Sequence, residues 1–256
     1  MKVNRLVRLS LGLIGCVIVA TGLFLGLRTP TSATVIVTCA QPTIVAAEHG
    51  VLLLNPDEAN VAIPQGEPQI VAVVNGQSIT AKQLEMLVQT TLYNNQTTLA
   101  SLGGHIPPTI QGELTRSPAA LRQMLLTNLI DNDLWLSQGK HSGEYASVAD
   151  AQKLLKQSLA TFHHIPASSP AYIEFTAFLC ANHLSETSYQ TDARVIQQVQ
   201  DRLTIAAAKA HVASKLSTAQ QHNDAAVKAA ENTYVQSLWA KNSVQVFLTG
   251  FTPLRV

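Results

Sequence analysis

Histidines and carboxylates are the first residues to test for chemistry, because they supply metal ligands and general acids or bases near neutral pH. His163-His164 with His183 is the nearest approach to a metal cluster, yet no HExxH, no CxxC and no carboxylate at ligand spacing accompanies it. We read these histidines as structural or solvent-facing. Asp131 and Asp133 leave different sides of one helix and cannot work as a dyad, so a solvated helix face accounts for them. Gly103-Gly104 lacks the strand and helix that flank a phosphate loop, and no GxSxG nucleophile signature occurs. The reading is a protein with no catalytic residue, no cofactor and no metal: not an enzyme.

Charge excludes a further class. With 17 Lys and Arg against 16 Asp and Glu the net charge is +1, which offers no clustered cation to neutralise phosphates, so nucleic acid is not expected as a partner. Apolar residues make up 46% of the 256 and charged ones 13%. Part of that imbalance lies at the N-terminus. Lys2, Arg5 and Arg8 precede an uncharged run from Leu9 to Leu27, about 19 residues, enough to cross ~30 Å of hydrocarbon. Only Arg28 follows at once, so residues 1–28 read as a cytoplasmic N-terminus and a transmembrane signal-anchor, with the rest of the chain extracytoplasmic. Thr31-Ser32-Ala33 is a loose cleavage pattern, and Leu13-Ile14-Gly15-Cys16 resembles a lipoprotein box, but apolar sequence runs on past both the usual signal length and Cys16. A retained anchor is preferred. Gly22 and Gly26 form a GxxxG pair through which two anchors could pack as a dimer. Of the cysteines left for the soluble part, Cys39 and Cys180, a bridge is one alternative and two unpaired thiols the favoured one.

The elements that follow are mostly helical. Residues 29–68 mix Pro, Thr, Ala and Gly and read as a flexible tether, broken by Pro42, Pro56, Pro64 and Pro68. Residues 69–256 read as one domain. It opens on the β-branched run Ile70 to Val74, turns at Asn75-Gly76, and enters a helix capped by Thr80 with Gln83, whose apolar stripe is Leu84, Leu87 and Val88. The polar stretch 97–116, with Gly103-Gly104 and Pro107-Pro108, reads as a loop or a broken helix. A central buried helix runs from Ser117-Pro118 to a stop at Gly139. Further helices start at Ser147 with Asp150, at Ser169-Pro170, near Thr191 and after Asn223, and Val244 to Leu248 closes the chain as a strand. Two β-branched runs with only helices between them are expected to pair, which gives a mainly α fold closed by an early and a C-terminal strand.

Three stretches carry a resemblance. Val71 to Thr80 with Gln83-Leu84 looks like the opening of the SurA/PrsA family of extracytoplasmic folding factors; Leu125 to Leu134 followed by Ser147 to Asp150 is similar to its Leu-Ile-Asp helix and capped successor; Leu238 to Val246 looks like its closing helix and strand. Together they cover most of 69–248. The resemblance implies a SurA N-terminal-like chaperone domain that holds unfolded or newly exported polypeptides. Phe162 to Thr191 is too short and too helical for the family's parvulin prolyl-isomerase domain. Clients of such a protein dock on adaptable apolar side chains, and Met86, Tyr93, Met124 and Trp239 are the candidates, although for any one of them filling the core is the favoured reading. The alternatives are a non-enzymatic scaffold that binds one partner and a degenerate peptidyl-prolyl isomerase.

Overall fold

The computed structural model describes Cys39, Ala46, residues 49–102 and residues 108–254. The anchor with Cys16, Gly22 and Gly26 lies outside the described residues. Among them no helix is long and apolar enough to cross a membrane.

Among the described residues the fold is mainly helical with one small antiparallel sheet. Strand β1 (Ile70–Val74) and strand β2 (Gln77–Thr80) form a hairpin. Its loop is Asn75-Gly76, with φ of 50° and 83°, the mirror-image turn whose twist matches that of the flanking strands. Strand β3 (Val244–Val246) pairs with the other edge of β1, Ala72 opposite Val246 and Val74 opposite Val244, so the expected pairing of early and late strands is present. Asn75 fastens that closure. Its N–H donates to the Ser243 carbonyl at 2.8 Å, and its side chain bonds Asn242, Ser137 and the Ser243 N–H. The sequence had given the turn and missed β2, which follows it directly.

Nine helices are described: α1 (Ala81–Ser101), α2 (Pro108–Leu114), α3 (Pro118–His141), α4 (Val148–Phe162), α5 (Pro170–Ala181), α6 (Glu186–Tyr189), α7 (Ala193–Ser214), α8 (Thr218–Gln221) and α9 (Asp224–Lys241). Their starts follow side-chain caps. Thr80 Oγ1 accepts from the Gln83 N–H, Ser147 and Asp150 bond each other reciprocally, and Ser169 and Asn223 each accept from a first-turn N–H. The polar stretch before α3 is thus a broken helix in its described part. Gly139 does not end α3. It lies inside the helix against Thr204, and the stop is Gly143, left-handed at φ 77°, with the Glu144 N–H closing back on the Gly139 carbonyl.

The chain forms two compact units, where the sequence reading expected a tether and one domain. Unit 1 comprises the described residues up to Val61, those of Met86–Pro118, and Gln152–Val195. Its core holds Leu155, Leu159, Phe162, Phe175, Phe178 and Tyr189, with Phe162 and Phe175 ring centroids 4.3 Å apart and Tyr189 meeting Phe175 edge-on. Part of the expected tether belongs to this core: Val51 and Leu53 are buried before a short 3-10 turn at Pro56–Glu58, and Ala59 is buried after it. Unit 2 comprises Ala62–Glu85, Ala119–Ala151 and Ile196–Val256. Its sheet contributes Val71, Ala72, Val74 and Ile79 to the core, and α3 contributes Leu121, Leu125, Leu126, Ile130, Leu134 and Trp135. The expectation of a central buried helix is met by α3.

Candidate functional site

In unit 1 one side chain binds the backbone of Leu52 and Leu54. Asn182 follows the last turn of α5, which closes with the Leu184 N–H on the Leu179 carbonyl and His183 left-handed at φ 55°. The Asn182 amide is buried and fully used: Nδ2 donates to the carbonyls of Leu52 at 3.1 Å and Phe178 at 2.9 Å, and Oδ1 accepts from the Leu54 N–H. A carbonyl and an N–H two residues apart are what a neighbouring strand would offer, so this amide takes the place of a strand. Two residues earlier, Cys180 is disulfide-bonded to Cys39, with Cα atoms 5.1 Å apart across 141 residues of sequence. That corrects the reading of two unpaired thiols. Residue spacing carries no information on Cα separation, and folding brings the two within bonding range.

Met86 and Tyr93 stand on α1 against the same stretch. Met86 is buried and lines a cleft of about 70 Å³ with Val51, Leu53, Ala59 and Gln89, while the half-buried Tyr93 ring packs beside Gly50. Such a cleft is far below the ~300 Å³ of a small-molecule site.

Met124 and Trp239 belong to unit 2. Both are half-buried. Beside Met124 on α3 runs a polar stripe at i, i+4 and i+8: Gln123, Thr127 and Asp131. Gln123 Nε2 donates to the Gly250 carbonyl at 2.9 Å and its Oε1 accepts from the Thr252 N–H at 2.7 Å. Thr127 Oγ1 accepts from the Leu254 N–H at 3.0 Å and donates to the Gln123 carbonyl. Asp131 accepts from the Trp239 indole N–H, and the Trp239 ring lies parallel to Phe251 with centroids 6.5 Å apart. Asp131 is therefore a bonded acceptor rather than part of a solvated face. Sequence reading missed Gln123 and Thr127, although polar residues at helical spacing through an apolar helix were the available signal.

Two carboxyls are perturbed. Burial, aided by Asp201 and opposed by Lys140, pushes Asp133 in unit 2 up to about 6. Burial alone pushes Glu174 in unit 1 up to about 7. Asp133 is thus half-buried beside an ion pair, Lys140 to Asp201 at 3.9 Å, and not on a solvated face. Arg122 makes a two-pronged pair with the buried Glu85 in unit 2, its guanidinium held charged by that carboxylate. His163 Nε2 meets Glu186 Oε2 at 2.8 Å on the surface of unit 1, and among the described residues no three His, Cys, Asp or Glu stand as a metal-holding group. Comparison with known proteins returns no match, whether to a family model, a curated protein or a solved structure.

Proposed function

We propose that this chain is an extracytoplasmic holdase of the SurA N-terminal type, anchored by the apolar run before Arg28 and working without isomerase activity on unfolded or newly exported polypeptides. The observation that carries the reading is the closure of unit 2: a strand ending in Val-Asn-Gly leads into α1, and the strand after α9 returns to pair with it, the order that the resemblance calls for. The chemistry is compatible. Met124 and Trp239 are adaptable, half-buried side chains of unit 2, and side-chain amides in both units bind backbone rather than particular side chains. A holdase must accept many sequences, and the backbone is what they share.

The test is light scattering of an unfolded secreted protein diluted from denaturant, with and without the chain from Thr29 onward, which keeps Cys39 and the packed residues 51–59. Suppressed aggregation at near-stoichiometric ratio, absent with an inert control, is the expected result. A folded chain that leaves aggregation unchanged refutes the reading.

A further inference from the structure

We infer that the polar stripe of α3, together with the Trp239 ring, is the seat for an extended polypeptide carrying one aromatic side chain, and that Thr249–Leu254 is its displaceable occupant within the chain. The inference rests on the holdase reading and says where a client would lie. Three main-chain groups of the occupant at every second residue, the Gly250 carbonyl and the N–H groups of Thr252 and Leu254, bond to Gln123 and Thr127. Gly250, Thr252, Pro253 and Leu254 are exposed, and only Phe251 is partly covered, over Trp239. The seat thus reads a backbone and one ring. Thr249 and Gly250 form a turn, with Gly250 at φ 67° and the Phe251 N–H on the Leu248 carbonyl; the three bonded groups lie in the peptide units after that turn, and an extended client with a Phe, Tyr or Trp offers the same alternation there. The equivalent clamp in unit 1 differs in the respect that matters: the stretch held by Asn182 buries Val51 and Leu53, which makes it core. Little apolar area holds the 249–254 segment, and such segments open locally without global unfolding.

The probe is a fluorescein-labelled peptide with the sequence of Thr249 to Val256, read by anisotropy against the full-length chain and a variant ending at Leu248. The shortened variant is expected to bind it roughly tenfold or more tightly than the full-length chain, where the internal copy competes. Alanine at the place of Phe251 in the peptide, or Gln123→Ala in the shortened variant, is expected to remove that gain. Equal binding to both chains overturns the inference. Hydrogen exchange of the unmodified full-length chain gives a test that needs no variant: the Thr252 and Leu254 amides should exchange at least about a hundredfold faster than that of Ile130 in α3. Equal rates would place the segment in the global core and overturn the inference as well. The two readings fail separately. Peptide binding without suppressed aggregation sinks the holdase and keeps the seat; suppressed aggregation without peptide binding sinks the seat alone.

Discussion

Glu174 gives the sharpest physical prediction. Its carboxyl is pushed from the ordinary 4.5 to about 7 by burial alone. A raised folded-state value means that the folded protein holds the proton more tightly than the unfolded chain between those two pH values. Stability is then fully present below pH 4.5 and falls as pH rises through 7. At ~1.36 kcal/mol per pH unit the ionised group costs about 3.4 kcal/mol at pH 8.5 and about 0.8 at pH 5. Water reaches part of this half-buried group, which reduces the difference between the two conditions to roughly 2 kcal/mol. Glu174→Gln keeps the shape and has no proton to lose. In urea denaturation followed by far-ultraviolet circular dichroism, the variant should exceed the parent by about 2 kcal/mol at pH 8.5, a midpoint shift approaching ~1 M, and match it within ~0.5 kcal/mol at pH 5. Using the difference between the two proteins removes Asp133, which titrates near 6 in both. The same midpoint shift at both pH values would refute desolvation as the cause.

Gly139→Ala places a Cβ 2.6 Å from Thr204 Cγ2 and 3.1 Å from its carbonyl oxygen, so the melting temperature should drop by the equivalent of ~1–3 kcal/mol, with part recovered by adding Thr204→Ser; no recovery would mean that the backbone carbonyl dominates. Arg122→Ala strands the buried Glu85 carboxylate and should cost about 3 kcal/mol in chemical denaturation, whereas Arg122→Met with Glu85→Leu should cost far less; equal losses would argue against the charge as the cause. Cys39→Ser with Cys180→Ser releases a cross-link across 141 residues, at most about 5 kcal/mol of chain entropy, and an unchanged melting temperature would show that the bond does not constrain the unfolded chain.

Local signals were the legible ones. Caps at Ser147 and Ser169, the β-branched run of β1 and the Asn-Gly turn all act within a few residues, and each is where the sequence put it. β2 was missed because Gln77-Ser78-Ile79-Thr80 buries only Ile79 and gives no alternation to detect. Gly139 reads as a stop from its type alone, whereas its place in the fold is close approach to Thr204 on α7, information held in another helix. Met86, Tyr93, Met124 and Trp239 were chosen by type, and the residues that fasten extended backbone, Asn182, Gln123 and Thr127, are ordinary amides and a hydroxyl whose partners lie about 125 or more positions away. The packing of Val51 and Leu53 was hidden by neighbouring prolines, which prevent a helix and still permit an extended segment to be buried.

The three-stranded closure also sets an order of events. A ribosome finishes β1 and its hairpin partner long before β3 exists; at ~5–20 residues per second the roughly 170 residues from Val74 to Val244 take on the order of ten to thirty seconds. During that interval β1 has a free edge of unpaired N–H and C=O groups along Ala72-Val73-Val74, a short, uncharged template on which another nascent strand can add. The protein proposed to shelter incoming chains is, for those seconds, a chain in need of shelter.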